Sequence, residues 1–375
     1  MLLATREIMR ARLRFGLLAG AIGLLIFLVF FQQTLLGSLL NSFTGALENQ
    51  SGSVVVYSAE ARSSLEASRV SPDLVTQVAK VDGVGQAGPL GQATLTFVAD
   101  GEQVDVAVFG SEPGQPGQPT KLIDGRLPTA PGEGVASSED KGKGFAIGDT
   151  VTTAAGSSPV TVVGLTEQSQ FSAQPTLFVT FDTYTTLRRA ANPDATSIPP
   201  SALVVVPADG ATPSAVAASI NAAIPGVEAL TRSEAVASAP GVSSVQSSFA
   251  IVLALAIAVV ALVTGFFFLI LTVQKSAALT MLHAVGASAS YLIWGLLQQV
   301  ALVLAVALVV AVALLLAATA GSGTGLALTI VPLDLVESAL VITVLSLVGV
   351  GFSIWRVLRI DPVEAVSHQG LGGLE

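Results

Sequence analysis

The chain has no cysteine, two histidines and three methionines in 375 residues. Without thiols it has no disulfide frame, thiolate metal site or thiol nucleophile, so any aqueous domain must stand on its own core. Charged residues are only 11% of the chain, the net charge is -9 and no basic patch offsets it, which excludes nucleic acid as a natural partner. No G-x-x-x-x-G-K-[ST] loop occurs. DKGKG at 140–144 has the wrong spacing and no Ser or Thr after its lysines, so ATP cannot be held by that route. Aromatics are 6%, too few for the girdles of a porin-like barrel.

What is abundant is aliphatic. Hydrophobic residues make up 51% of the chain and mean hydropathy is +0.73, which predicts a membrane protein of packed Ala, Val and Leu helices. Residues 1–14 carry Arg6, Arg10, Arg12 and Arg14 against Glu7, with Leu2, Met9 and Leu13 on one face, and read as an amphipathic helix on the cytoplasmic surface. Residues 15–40 then run apolar for roughly 39 Å of helix, longer than the roughly 30 Å of bilayer hydrocarbon. A signal peptide would have an apolar core of roughly 7 to 15 residues and a small-residue cleavage site, so an uncleaved anchor is favoured. Apolar runs at 249–273, 292–320 and 336–358 complete four transmembrane helices in a 1+3 plan, with an outer loop at 321–335 and a tail at 359–375.

If the chain alternates, the N-terminal arginines, Lys275, Arg356 and Arg359 fall on one side, which the positive-inside rule makes the cytoplasm. The protein is then a multi-pass protein of the cytoplasmic (inner) cell membrane with both termini inside. His283 and His368 fall inside too, which leaves no histidine for a metal centre or a Ser-His-Asp triad outside. No charge interrupts the spans to mark an ion path. Gly16, Gly20 and Gly23 predict a close helix approach. Phe266, Phe267 and Phe268 read as packing or an interfacial belt.

Residues 41–248 hold most of the acidic residues and are punctuated by Gly, Pro and Ser. Strands are predicted at 53–57, 93–98, 103–109, 160–164, 176–181 and 202–206, and helices at 72–80, 183–190, 214–224 and 233–239, with Ser71 and Thr183 as opening residues. The segment is therefore expected to be a mixed α/β extracytoplasmic domain. The tract EPGQPGQP at 112–119 reads as an exposed loop.

Two stretches carry functional expectations. The first span continues outward to about residue 48, with Thr34, Ser38, Asn41, Gly45 and Glu48 on one face and Leu36, Leu40, Phe43 and Leu47 on the other. With Gln32 and Gln33 at the headgroup level, this is either a wetted membrane exit or a lateral groove for an amphiphile. The groove reading selects Phe30, Phe31, Gln32, Gln33, Leu36, Glu48 and Tyr57 as substrate contacts. The second is the cytoplasmic loop at 274–291. Lys275 stands at the interface, Leu279, Leu282 and His283 share one side of a short helix opened by Ser276, and Gly286 suits the turn that ends it. It is either a plain interhelical turn or a coupling helix docked on another protein.

Several phrases resemble the MacB/FtsX-like permeases of type VII ABC transporters: GRLPTAPGEGVASSEDKGKGFAIGDTV at 125–151, VTVVGL at 160–165, LTMLHAVGASASYLIWGLLQQ at 279–299 and RVLRIDPVEAV at 356–366. Together with FLVFFQQTLLGSLL at 27–40, the loop phrase looks closest to the DevC/HrtB branch, which includes haem exporters. The resemblance implies a non-catalytic permease subunit, a homodimer in the lipid bilayer working with two copies of a cytoplasmic ABC ATPase that holds ATP and Mg. It implies no intrinsic cofactor, and haem as the transported substrate. Between Gln32 and Phe249 the only residues of a type that ligates haem iron are Tyr57 and Tyr184. FtsX-like transmitters, which regulate an extracytoplasmic cell-wall hydrolase without transport, share the same plan.

Overall fold

A computed structural model describes residues 12–156, 159–274, 281, 289–320 and 332–358. The chain divides into two compact units: one contains Met1–Gly37 and the C-terminal helices, the other is Ser38–Ser247.

The first unit contains the greater part of α1 (Arg12–Glu48) and of α6 (Val242–Gln274), with α7 (Ala289–Ala320) and α8 (Pro332–Leu358). Among the described residues, three helices are long and apolar enough to cross a membrane: Arg12–Glu48, Val242–Gln274 and Leu297–Ala320. Leu335–Gly351 is a shorter apolar helix. Ile22, Ile26 and Phe30 of α1 share a core with Val260 and Phe268 of α6, Val300, Leu304 and Ala307 of α7, and Ile342 of α8. Hydroxyls within the helices bond back one turn, Thr34 to Phe30 O (2.9 Å), Thr264 to Val260 O (2.7 Å) and Thr272 to Phe268 O (2.7 Å), so they cost little where no water reaches.

The predicted glycine contact is narrower than its pattern. A Cβ at Gly23 would stand 2.9 Å from Ala307 O of α7, whereas Gly16 and Gly20 meet nothing within 4 Å. Of the three phenylalanines, Phe268 enters the core and Phe266 and Phe267 stay exposed.

The second unit is one ten-stranded sheet: β1 (Val54–Ser58), β2 (Val84–Ala99), β3 (Glu102–Ser111), β4 (Leu122–Gly125), β5 (Glu133–Ser137), β6 (Thr150–Thr153), β7 (Val160–Thr166), β8 (Thr176–Thr180), β9 (Ala202–Pro207) and β10 (Val227–Thr231). The order is β10-β1-β9-β2-β3-β8-β5-β7-β4, and β6 pairs with both β2 and β7. The ladder β2-β3-β8-β5-β7-β6 therefore closes on itself, and Phe97, Val106, Val162 and Leu177 from these strands share a core with Phe145.

Helices α2 (Leu74–Val78), α3 (Phe181–Ala191), α4 (Pro213–Ala223) and α5 (Arg232–Ser238) cover the sheet. Strand alternation sorts β1: Val54 and Val56 pack with Leu74, Val216 and Ile220, while Val55 and Tyr57 join Leu47, Leu65, Phe109 and Phe171.

The predicted helices exist, with different starts. The one at 72–80 is shortened to Leu74–Val78, and it is the Ser71 carbonyl, not its side chain, that accepts from Leu74 N (3.0 Å). Thr183 is not the cap of α3. Thr180 is, its hydroxyl accepting from Thr183 N at 3.2 Å. Thr212 caps α4 with Pro213 first in the helix, and Thr231 with Glu234 forms a capping box on α5. Strands β4, β5, β6 and β10 were not anticipated. Residues 112–119 form turns, but Pro116, Gly117 and Pro119 are buried rather than exposed, because Gln118 O accepts from Ser51 N (2.9 Å) and Pro119 bridges to Gln50.

Candidate functional site

The last turns of α1 end inside the second unit, and a loop at 168–174 grips them through backbone groups. Ala46 N donates out of the helix to Gln170 O (2.9 Å), Ser172 N donates to Phe43 O (3.0 Å) and Ala173 N to Ser42 O (2.9 Å). Gly45 makes this approach possible, since a Cβ there would lie 2.6 Å from Gln168 O. Gln168, Ser172 and Ala173 all have positive φ, 51°, 53° and 54°, an uncommon conformation for residues with side chains.

The loop is held from behind. Glu139 accepts from Gln168 N (3.0 Å), Asn49 Nδ2 donates to Gln168 O (2.5 Å) and Lys121 Nζ bonds the Gln168 side chain. Asp140 is fully buried, accepting from Lys143 Nζ and Gln170 Nε2, both at 3.0 Å, and from Thr176 N at 3.4 Å. Burial raises its pKa above the usual aspartate value, with the bonds from Lys143, Gln170 and Thr176 opposing.

Beside this clamp is a cavity of about 170 Å³. Its walls are Phe43, Thr44 and Leu47 of α1, Tyr57 of β1, residues 63–66, Phe171 and Ser172 of the clamp loop, and Ala239, Pro240 and Val242. A second strained turn borders it: Arg62 and Ser63 have φ of 50° and 59°, and Glu228 Oε2 holds that turn by accepting from Ser63 N (3.1 Å) and Ser63 Oγ (3.2 Å). Tyr57 is fully buried, and its hydroxyl has no partner among the described residues. Burial, with the Glu228 charge second, raises its pKa well above the ordinary tyrosine value, so it stays a neutral donor. Glu228 is the cross-strand neighbour of Tyr57 in the β1–β10 pairing. A second cleft, about 430 Å³ in the first unit, is apolar except for Arg14, with Phe15, Leu18, Phe267 and Leu271 in its lining.

The sequence-selected contacts fall into both units. In the first, Phe30 is buried in the helix core, Phe31 and Leu36 are half-buried, Gln32 Nε2 donates to Phe249 O (3.3 Å) and Gln33 Oε1 accepts from Ser338 Oγ (2.6 Å). Both glutamines therefore tie α1 to neighbouring helices. In the second, Glu48 is exposed and Tyr57 lines the cavity. The polar face of α1 does not stay open along its length, because Gly45 lies under Gln168 and Asn41 is only half-exposed.

Lys275, Leu279, Leu282, His283 and Gly286 lie outside the described residues. The clamp loop and the 62–66 turn escaped sequence reasoning, since left-handed Arg, Ser, Gln and Ala leave no compositional signal. No group of three or more His, Cys, Asp or Glu among the described residues could hold a metal ion.

Among solved structures, the chain is similar to the periplasmic region of MacB from Actinobacillus actinomycetemcomitans, at 12% identity over 50% of this chain and 92% of that one, with a TM-score of 0.36. It is also similar to the extracellular domain of the noncanonical ABC-type transporter YknZ from Gram-positive bacteria, at 14% identity over 48% of this chain and 100% of that one, with a TM-score of 0.34. The MacB-like periplasmic core domain matches residues 15–223, more than half of the 375, and the chain belongs to that family.

Proposed function

We propose that this chain is the permease subunit of an ABC efflux transporter, working as a homodimer with two copies of a separate cytoplasmic ATPase. ATP-driven motion at the 274–291 loop passes through the spans and lifts a membrane-partitioned amphiphile outward. The observation that carries this reading is α1, one unbroken 37-residue helix with a membrane-crossing apolar run and a far end fixed by three backbone hydrogen bonds to the 168–174 loop. A helix held by backbone groups transmits a push to what holds it, whereas side-chain contacts alone would let it slip.

In this reading Pro332–Leu358 is the fourth span, both termini are cytoplasmic and the Ser38–Ser247 unit is extracytoplasmic. Haem is the cargo that the branch resemblance names. ATPase activity of the permease–ATPase complex in nanodiscs is the test, with haemin-stimulated turnover expected. No stimulation by haemin or related amphiphiles overturns the transport reading. Gly286→Val and Leu282→Asp are each expected to leave ATP hydrolysis running while abolishing export, and wild-type coupling in both refutes the docking role of the loop.

One observation favours the FtsX-like alternative. Strand β4 ends the sheet order and exposes Leu122 and Ile123, an apolar edge able to pair with a soluble partner such as a hydrolase. Ile123→Asp separates the two: export unchanged supports transport, and loss of hydrolase activation supports the transmitter.

A further inference from the structure

We infer that the apolar cleft between the Arg14 end of α1 and the Gln274 end of α6 is a site for one phospholipid with an anionic headgroup, its phosphate on Arg14 and an acyl chain along the cleft. Arg14, Leu17 and Ala21 recur at i, i+3 and i+7 on α1, and Phe267, Ile270 and Gln274 at the same spacing on α6, so each set shares one helical face. The cleft lies between these faces. Its volume, about 430 Å³, is within the roughly 300 to 1,000 Å³ of sites that take a drug-sized ligand. From Arg14 to Ala21 it follows α1 for roughly 10 Å of helix rise.

The polarity of the cleft is one-sided. Arg14 is the only charged residue in its lining; α1 carries no other charge from Phe15 to Leu47, and α6 carries none. Arg14 is exposed and donates to Gln274 Oε1 across the end of the cleft, and among the described residues no carboxylate pairs with it. A guanidinium presents five donors in a planar fork that matches phosphate, so one bond to a neutral amide leaves its charge and most of its donors for an anion. Leu18 and Leu271 are buried in the helix core, whereas Leu17, Phe267 and Ile270 are exposed, so the cleft opens away from that core, where a membrane-spanning chain meets lipid. A soluble anion would satisfy Arg14 and leave the groove unfilled; an uncharged lipid would fill the groove and leave Arg14 without a counter-ion. An anionic phospholipid does both, as in other basic pockets between membrane helices. Because α1 and α6 each form a wall, the lipid sets their separation at this end. The site requires only that the chain lies in a membrane, not ATPase coupling or export, so its test and that of the efflux reading fail separately.

The experiment is native mass spectrometry of the delipidated full chain in detergent micelles with equimolar dioleoyl phosphatidylglycerol and dioleoyl phosphatidylcholine. The expected result is an excess of phosphatidylglycerol adducts, lowered about fivefold by Arg14→Gln, the effect of one arginine at an anionic surface. Ala21→Phe, which fills the cleft from an exposed position, is expected to lower the excess with Arg14 in place. Arg12→Gln removes the same charge outside the lining and is expected to lower it less than Arg14→Gln does. Equal retention of the two lipids, an excess unchanged in Arg14→Gln or in Ala21→Phe, or an equal loss in Arg12→Gln each overturns the site. A dimer lost in Ala21→Phe, or haemin adducts lost in Arg14→Gln, with the lipid adducts unchanged, would overturn it in favour of a second copy or of cargo.

Discussion

Replacing Gly45 by alanine tests the clamp by the sign of its effect. In a helix interior Gly→Ala stabilises by about 1 kcal/mol, because alanine loses less backbone entropy on folding. At position 45 the new Cβ would stand 2.6 Å from Gln168 O and 2.8 Å from Asn41 Oδ1, while ordinary contact begins at 3.4 Å, so the loop must retreat by about 0.8 Å. It cannot retreat freely, because Gln168 is pinned by Glu139 at its N–H, by Asn49 at its carbonyl and by Lys121 at its side chain. The movement falls on the three bonds from Ala46, Ser172 and Ala173. At about 0.5–1.5 kcal/mol each, their loss outweighs the propensity gain and leaves a net destabilisation of about 0.5–3.5 kcal/mol. For a unit of this size that lowers the unfolding temperature by about 1–14 °C. Gly37 in the same helix is the control, since a Cβ there meets nothing within 4 Å, and Gly37→Ala is expected to hold or raise the unfolding temperature. The assay is thermal unfolding of the full chain in nanodiscs at a fixed scan rate. A Gly45→Ala protein as stable as Gly37→Ala would refute the clamp.

Two carboxyl groups should give the domain opposite pH limbs. Glu133 is held by bonds from Arg126, Thr129 and Ala130, which lower its pKa from the ordinary 4.5 to about 2. Its contribution is present above pH 4.5 and lost as pH falls toward 2, so Glu133→Gln should flatten the acid limb of the stability curve between these values. Asp140, raised by burial from the ordinary 3.8, contributes below that value and loses its contribution as pH rises through its folded pKa. Asp140→Asn should flatten the curve above pH 3.8, and an unchanged slope there would contradict a buried titrating carboxyl. Asp140→Ala, which also releases Gln170 and Thr176, is expected to cost about 2–4 kcal/mol in denaturant unfolding. Thr231→Ala removes the hydroxyl half of the capping box on α5, leaving the Glu234 carboxylate to accept from the backbone N–H of residue 231, and should cost about 1 kcal/mol in the same assay.

The sequence displayed what period and composition can carry. Long apolar runs marked α1, α6, α7 and α8, and β-branched alternation marked β1, β3, β7 and β9, because each of these elements buries a face set by its own side chains. Elements whose side chains are small or mixed stayed hidden. EGVAS of β5 and VEALT of β10 have no strand pattern, and they are strands because β7, β8 and β1 pair with them. The same division runs through the site. Tyr57 was legible as one of two tyrosines between residues 41 and 248, but not the cavity it lines, which is bordered by the turns at Arg62–Ser63 and Ser172–Ala173, left-handed without glycine. Such turns cost energy locally and persist only where tertiary bonds fix them, here Glu228 for one and the end of α1 for the other. Both strained turns therefore flank a place where α1, β1 and the entry to α6 meet. Relieving the strain would require either bond set to release, so a pull on the end of α1 acts first on the Ser172–Ala173 turn and through it on the cavity wall.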